Sequence, residues 1–199
     1  MRVPHGRVTM PDGTFDMPFY RRMHALVQGW QTLDEIPADR LPNADDRAAC
    51  ERLLHLEARL IDGLRLEAWL ALFTEDCAYW IPADVAAADP ARFVSWEFND
   101  RRRLEERVER LEGGLAFSQI PVTRTTHIYS NIEMLTHGQD GMEVLCNFLI
   151  QANLLGRVSQ RAGWNGFLLR RTEAGWRIVL KRVGLFDADL SQHNNSFTL

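Results

Sequence analysis

The sequence lacks the short motifs that most often mark an enzyme's chemistry. It has no G-x-G-x-x-G and no G-x-x-x-x-G-K-[ST], so no nucleotide cradle is visible. It has no G-x-S-x-G to present a serine nucleophile. Its six histidines (His5, His24, His55, His127, His137 and His193) are scattered, and none stands four residues from another. That spacing rules out a helical histidine pair for a metal. A non-haem iron triad would have to be assembled from distant residues. Cysteine is scarce: Cys50, Cys77 and Cys146 are widely separated, odd in number and form no C-x-x-C. A disulfide framework and a zinc knuckle are therefore both unsupported, and the three read as small buried residues.

Positive charge is short as well. There are 23 Lys and Arg against 27 Asp and Glu, a net charge of −4. Phosphate binding wants a basic excess, so nucleic acid is not the expected partner. Residues 1–10 carry no apolar stretch of the secretory kind. The longest apolar run, residues 144–156, is broken by Asn147, Gln151 and Asn153. It is shorter than the roughly 18 residues of a membrane span. These absences together predict a cytoplasmic protein.

What remains is the composition of a globular protein, 46% hydrophobic and 25% charged over 199 residues. A chain of this length forms one domain that buries about 70% of its unfolded surface. Five of the eight prolines lie in residues 1–44 (Pro4, Pro11, Pro18, Pro37 and Pro42). Proline removes a backbone donor and disfavours helix before it, so 1–44 reads as an arm. One short helix is expected within it, because Phe19, Met23, Leu26, Val27 and Trp30 recur at helical spacing after Pro18. That stripe must be covered either by the chain's own body or by a neighbouring subunit.

Residues 45–199 read as a single α+β domain. Asn43 or Asp45 can cap a helix bearing Ala49, Leu53, Leu56, Leu60 and Leu64 on one face, with a break at Gly63. A second helix is predicted over 65–73, then a strand over 77–82, a loop over 83–91 and a strand over 92–98. Residues 101–112 form a charged helix with opposite charges four apart (Arg101/Glu105, Arg102/Glu106, Glu106/Arg110), ended by Gly113-Gly114. It reads as a solvated face or a subunit contact. Four strands then follow over 124–135, 142–157, 164–171 and 176–185, with polar turns at 137–141 and 172–175. Short turns between long strands predict antiparallel neighbours. Helices first and strands last is the α+β order. Trp69, Trp80, Trp96, Trp164 and Trp176 read as core and interface anchors.

Among the histidines only His127 sits in a suggestive place, inside the predicted strand 124–135. It is either a general base in a curved sheet or a hydrogen-bonded structural residue. The structural reading is favoured, since no motif places a carboxylate beside it. No catalytic, cofactor-binding or metal-binding residue is assigned.

Several segments in order resemble the small (β) subunits of Rieske-type aromatic-ring-hydroxylating dioxygenases. They are Leu70-Ala71-Leu72-Phe73-Thr74-Glu75-Asp76 followed by Tyr79-Trp80-Ile81-Pro82, the helix from Asp100 through Leu104 to Arg107-Val108-Glu109-Arg110-Leu111, and Pro121 with Arg124-Thr125-Thr126-His127 and Ser130-Asn131-Ile132. Gly175-Trp176-Arg177-Ile178 and residues 194–199 continue the likeness, which runs from about residue 46 to 199. The resemblance implies a cone-shaped curved antiparallel sheet with N-terminal helices, shared with nuclear transport factor, scytalone dehydratase and ketosteroid isomerase. It implies a hexamer of three large and three small subunits (α3β3). There the large subunit carries a Rieske [2Fe-2S] cluster and mononuclear Fe(II), and forms a cis-dihydrodiol with electrons from NAD(P)H. The small subunit of such systems is structural and holds no metal. In agreement, this chain has no C-x-H and no C-x-x-H, the short motifs a Rieske centre needs. The arm 1–44 is longer than the family's, and Trp164 and Phe167 stand where the family is often charged. Because one fold hosts many functions, a stand-alone hydratase, isomerase or cyclase using His127 with Asp62 or Asp76 is the alternative, and a small-molecule binding protein a third.

Overall fold

The computed structural model describes residues 16–84, 89–114, 116 and 120–190. Most of the proline-rich start, His5, His193, residues 194–199 and part of the expected 83–91 loop lie outside the described residues.

Each long helix starts at a polar cap. Helix α1 (Met17–Gln31) begins where the Asp16 carboxylate accepts the Phe19 N–H at 2.8 Å, with Pro18 in its first turn. Helix α2 (Ala44–Asp62) is capped by Asn43, whose Oδ1 accepts the Asp46 N–H at 2.9 Å, and Asp45 and Asp46 complement the helix dipole. Helix α3 (Leu66–Leu70) is short. Helix α4 (Arg101–Glu112) is capped by Asp100, which accepts the Arg103 N–H at 2.9 Å.

The strands β1 (Phe73–Pro82), β2 (Ser95–Asn99), β3 (Arg124–His137), β4 (Gly141–Leu154), β5 (Arg157–Thr172) and β6 (Gly175–Leu185) form one curved sheet in the order β2-β1-β6-β5-β4-β3. The meander β3 to β6 is antiparallel, as the short turns predicted. The pairing of β1 with β6 is parallel, so the sheet is mixed rather than wholly antiparallel. It is also unclosed, with β2 and β3 at its edges. Turn chemistry reports only on strands adjacent in sequence, whereas β1 and β6 are joined through every element between them.

Two strand starts differ most from the sequence reading. Strand β1 starts at Phe73, not 77, because Phe73 packs edge-on against Trp69 at 4.8 Å and the Ile178 N–H donates to the Leu72 carbonyl. Strand β5 starts at Arg157, not 164, after a two-residue turn at Leu155 and Gly156. Both turn residues have positive φ, 52° and 85°. This is the primed geometry that suits a tight hairpin. Leucine there gives no turn signal, and the geometry is held partly by Asn153 Oδ1, which accepts the Gly156 N–H at 3.0 Å.

The sheet buries both faces unequally. Helices α2, α3 and α4 cover the concave face over a core that includes Leu54, Trp69, Tyr79, Val144, Phe148 and Phe167. On the convex face α1 lays Met23, Val27 and Trp30 over Ala78, Trp80 and Leu180. The helical stripe of the arm is thus covered by the chain's own sheet. Burying each such side chain stabilises by roughly 1.5–3 kcal/mol. Gly166 makes this seat possible, since a Cβ there would stand inside the Trp30 ring. Beyond α1 the convex face is bare, with Ile128, Leu149 and Val158 exposed.

Candidate functional site

His127 lies on the concave side of β3, and the structure pairs it with Asp62, one of the two carboxylates named for the alternative reading. Asp62, the last residue of α2, takes the His127 ring at Nδ1 (2.6 Å to Oδ1), the His127 backbone N–H (2.9 Å to Oδ2) and the Thr125 hydroxyl (2.9 Å). Burial alone would push the Asp62 carboxyl up. The His127 ring and backbone donors outweigh it and hold Asp62 below its ordinary value. With Asp62 ionised, Nδ1 donates a ring proton to it. Nε2 is buried and has no hydrogen-bond partner. The geometry is that of an oriented base. A cavity of about 220 Å³ that reaches Thr125 is lined mainly by Ile61, Leu64, Leu66, Leu111, Ile120 and Val122, and His127 is not part of its wall. Asp76, the other carboxylate named for this role, instead pairs with Arg170 at 2.8 Å.

The centre of the cone, where an enzyme of this shape would hold its substrate, is filled. Trp69, Phe73, Tyr79, Phe148 and Phe167 pack there. Among them sits a polar knot. The Glu57 carboxylate of α2 accepts from Trp69 Nε1 (2.8 Å), Tyr129 Oη (2.7 Å) and Lys181 Nζ (2.8 Å). Lys181 also lies 5.6 and 5.9 Å from the ring centroids of Tyr79 and Phe167. Glu57 and Lys181 are completely buried. Burial pushes the Glu57 carboxyl up, but the Lys181 charge and the three donors more than reverse it. Burial and the adjacent Glu57 charge raise the Tyr129 phenol. The knot is neutral, closed, and ties α2, α3, β3 and β6 together, so it holds shape and offers no face to a substrate. Its sequence signals were readable: Glu57 interrupts the apolar face of α2, and Lys181-Arg182 interrupts an otherwise apolar strand.

A second carboxylate anchors the arm. Glu143 on β4 accepts from Trp30 Nε1 at 2.6 Å and Arg40 Nη2 at 2.8 Å, and contacts His137 Nδ1 at 2.6 Å. Arg40 also donates to the Thr136 carbonyl at 3.1 Å. The three cysteines are free and buried, and burial pushes each thiol up to about 12. On α4 the predicted pairs Arg101–Glu105 and Arg102–Glu106 form, while Arg107 reaches Glu97 on β2. The exposed Arg102–Glu106 pair contributes little to stability. Among the described residues no three His, Cys, Asp or Glu side chains cluster in a way that could hold a metal, and no helix is long and apolar enough to cross a membrane.

Comparison with known proteins identifies the family and the fold. Residues 56–192 match the ring hydroxylating beta subunit family. The small oxygenase component of the p-cumate 2,3-dioxygenase system of Pseudomonas putida is 38% identical over 156 residues, spanning 73% of this chain and 86% of that one. The beta subunit of benzoate 1,2-dioxygenase from Burkholderia mallei shares the fold with a TM-score of 0.63 at 24% identity, over 83% of this chain and 100% of that one. An NTF2-like protein with a cystatin-like fold from Novosphingobium aromaticivorans superposes with a TM-score of 0.52 at 18% identity, over 86% and 91% of the two chains.

Proposed function

The chain belongs to the ring hydroxylating beta subunit family, and on that premise we propose that it is the non-catalytic small subunit of a multicomponent aromatic-ring-hydroxylating dioxygenase. The observation that carries this reading, beside the family match, is the plugged interior: the cone is closed by aromatic rings around the Glu57–Lys181 knot. A scaffold needs a rigid body with finished cores and outward faces free for neighbours, and this chain has both. The iron centres of such a system belong to the large subunit, whose presence the family relationship implies.

The finer assignments follow from the same reading. Three large and three small subunits assemble around a three-fold axis in the cytoplasm. That closed ring fixes the large subunits side by side, so that geometry held by the small subunits sets activity indirectly. The p-cumate relative is the small component of a system named for an aromatic carboxylate, and the substrate class proposed for the complex is the same, with a cis-dihydrodiol as product. The test is co-expression with the native large component. A complex with the light-scattering mass of a 3:3 hexamer that dihydroxylates an aromatic acid is expected. Stoichiometric iron or turnover in the small chain alone, or its purification as a monomer from cells making the large component, would refute the proposal.

A further inference from the structure

Strand β6 sends two consecutive cations to opposite faces of the sheet. Lys181 enters the concave interior and meets Glu57. Arg182 goes to the convex face, in register between Trp80 on β1 and Gly166 on β5, and it too is fully buried. Its guanidinium lies 3.8 Å from the centroid of the Trp164 ring and folds back over Gly184, where no Cβ could stand. Stacking on an indole compensates part of its lost hydration. It supplies no acceptor, and Nε, Nη1 and Nη2 all lack hydrogen-bond partners. Desolvation pulls the group down to about 9. Glu143, the buried carboxylate on that face, is already engaged by Trp30, Arg40 and His137.

The surroundings are built for contact. Trp164 also lines an open groove of about 450 Å³ with Trp30, Gln31, Asn131, Glu133 and Asn147. From that groove the bare convex face extends across Ile128, Leu149 and Val158. A guanidinium presents five donors in a planar fork, and its matching acceptor is a carboxylate held by two bonds. The family relationship supplies a different chain, the large oxygenase component, as the source of that carboxylate.

We propose that Arg182 receives a carboxylate side chain from the large oxygenase component, which docks on the convex face beyond α1 and enters past Trp164. This inference rests on the proposed function. It makes Arg182 a residue that weakens the isolated chain and strengthens the complex, a pair of signs that a purely structural arginine would not show.

The experiment compares wild type, Arg182→Met and Arg182→Lys, each as the isolated small chain and in complex with the native large component. Arg182→Met should raise the melting temperature of the isolated chain by about 5 °C, since an apolar side chain replaces an unpaired buried charge. It should weaken binding of the large component by roughly 30-fold or more. Arg182→Lys separates charge from geometry. It keeps the charge but not the fork, so its melting should stay close to wild type while affinity falls about tenfold. A methionine variant that melts lower or does not fold, or unchanged affinity in the lysine variant, overturns the assignment. So does a loss confined to association between small chains. If wild type itself binds no large component, the scaffold reading fails and takes this inference with it. If wild type binds and the variants bind equally, only the role of Arg182 fails.

Discussion

Lys181 and Arg182 stand side by side on β6, both withdrawn from water, and their surroundings differ in one respect. Lys181 has Glu57 at 2.8 Å, and around them Trp69 and Tyr129 complete the carboxylate's shell. Arg182 has an indole and no anion. The concave side of the sheet is therefore finished within the chain, while the convex side carries a charge that none of the described residues neutralises. A protein that folds alone and works alone has little reason to keep such a group. For a subunit the missing partner can arrive with assembly. At the cone's centre the polar groups satisfy one another.

The strongest way to break the comparison is to make the interior as unbalanced as the convex side. Glu57→Leu leaves Lys181 buried without a counter-ion, and should cost about 3–5 kcal/mol in urea unfolding. Adding Lys181→Met to it should recover most of that loss, because a neutral apolar pair replaces a neutral ionic one. If the single variant loses no more than an exposed substitution, the knot is not what holds the cone. A smaller effect is expected on the other face. Gly166→Ala drives a methyl into the Trp30 ring, and should cost about 1–3 kcal/mol through overpacking. Because the strain falls on α1, hydrogen exchange should speed up in residues 17–31 and not in α2. Smaller again is Trp30→Phe, which keeps most of the apolar area but removes the indole donor to Glu143. With Arg40 and His137 still on that carboxylate, the loss should be about 1 kcal/mol.

How much of this could be read in advance depended on the reach of each signal. The caps at Asn43 and Asp100, the apolar stripes of α1 and α2 and the turns at 137–141 and 172–175 are local, and they appear in the structure. The parallel β1–β6 pairing is not local, and no residue pattern within either strand specifies its partner. The Leu155–Gly156 turn was missed because leucine rarely adopts a positive φ. The site followed the same rule. His127 was singled out from its strand with Asp62 or Asp76 as possible partners, and only the packing of α2 on β3 decides for Asp62, which lies 65 residues earlier at the end of a helix. Glu57 and Lys181 were both visible as charges on apolar faces, and reading them as a pair would have located the filled centre from sequence.

The least costly test sharpens the comparison at the rim of the cone, where Asp62 is paired but not fully enclosed. Its folded-state value lies below the ordinary 3.8, because the His127 and Thr125 donors favour the ionised form. A depressed carboxylate stabilises the fold above its unfolded value, and that contribution fades as pH falls through the folded one. Wild type should therefore exceed Asp62→Asn by about 1 kcal/mol at neutral pH, with the gap closing in acid below the ordinary carboxylate range. Glu57, Asp46 and Asp76 are lowered too and titrate in the same acid window, so the difference between the two chains isolates Asp62 where either curve alone would not. A gap that stays constant down to the acid limit would mean that the His127–Asp62 contact orients the strand without favouring the charge. The rim would then differ from the Glu57 knot in kind, and not only in exposure.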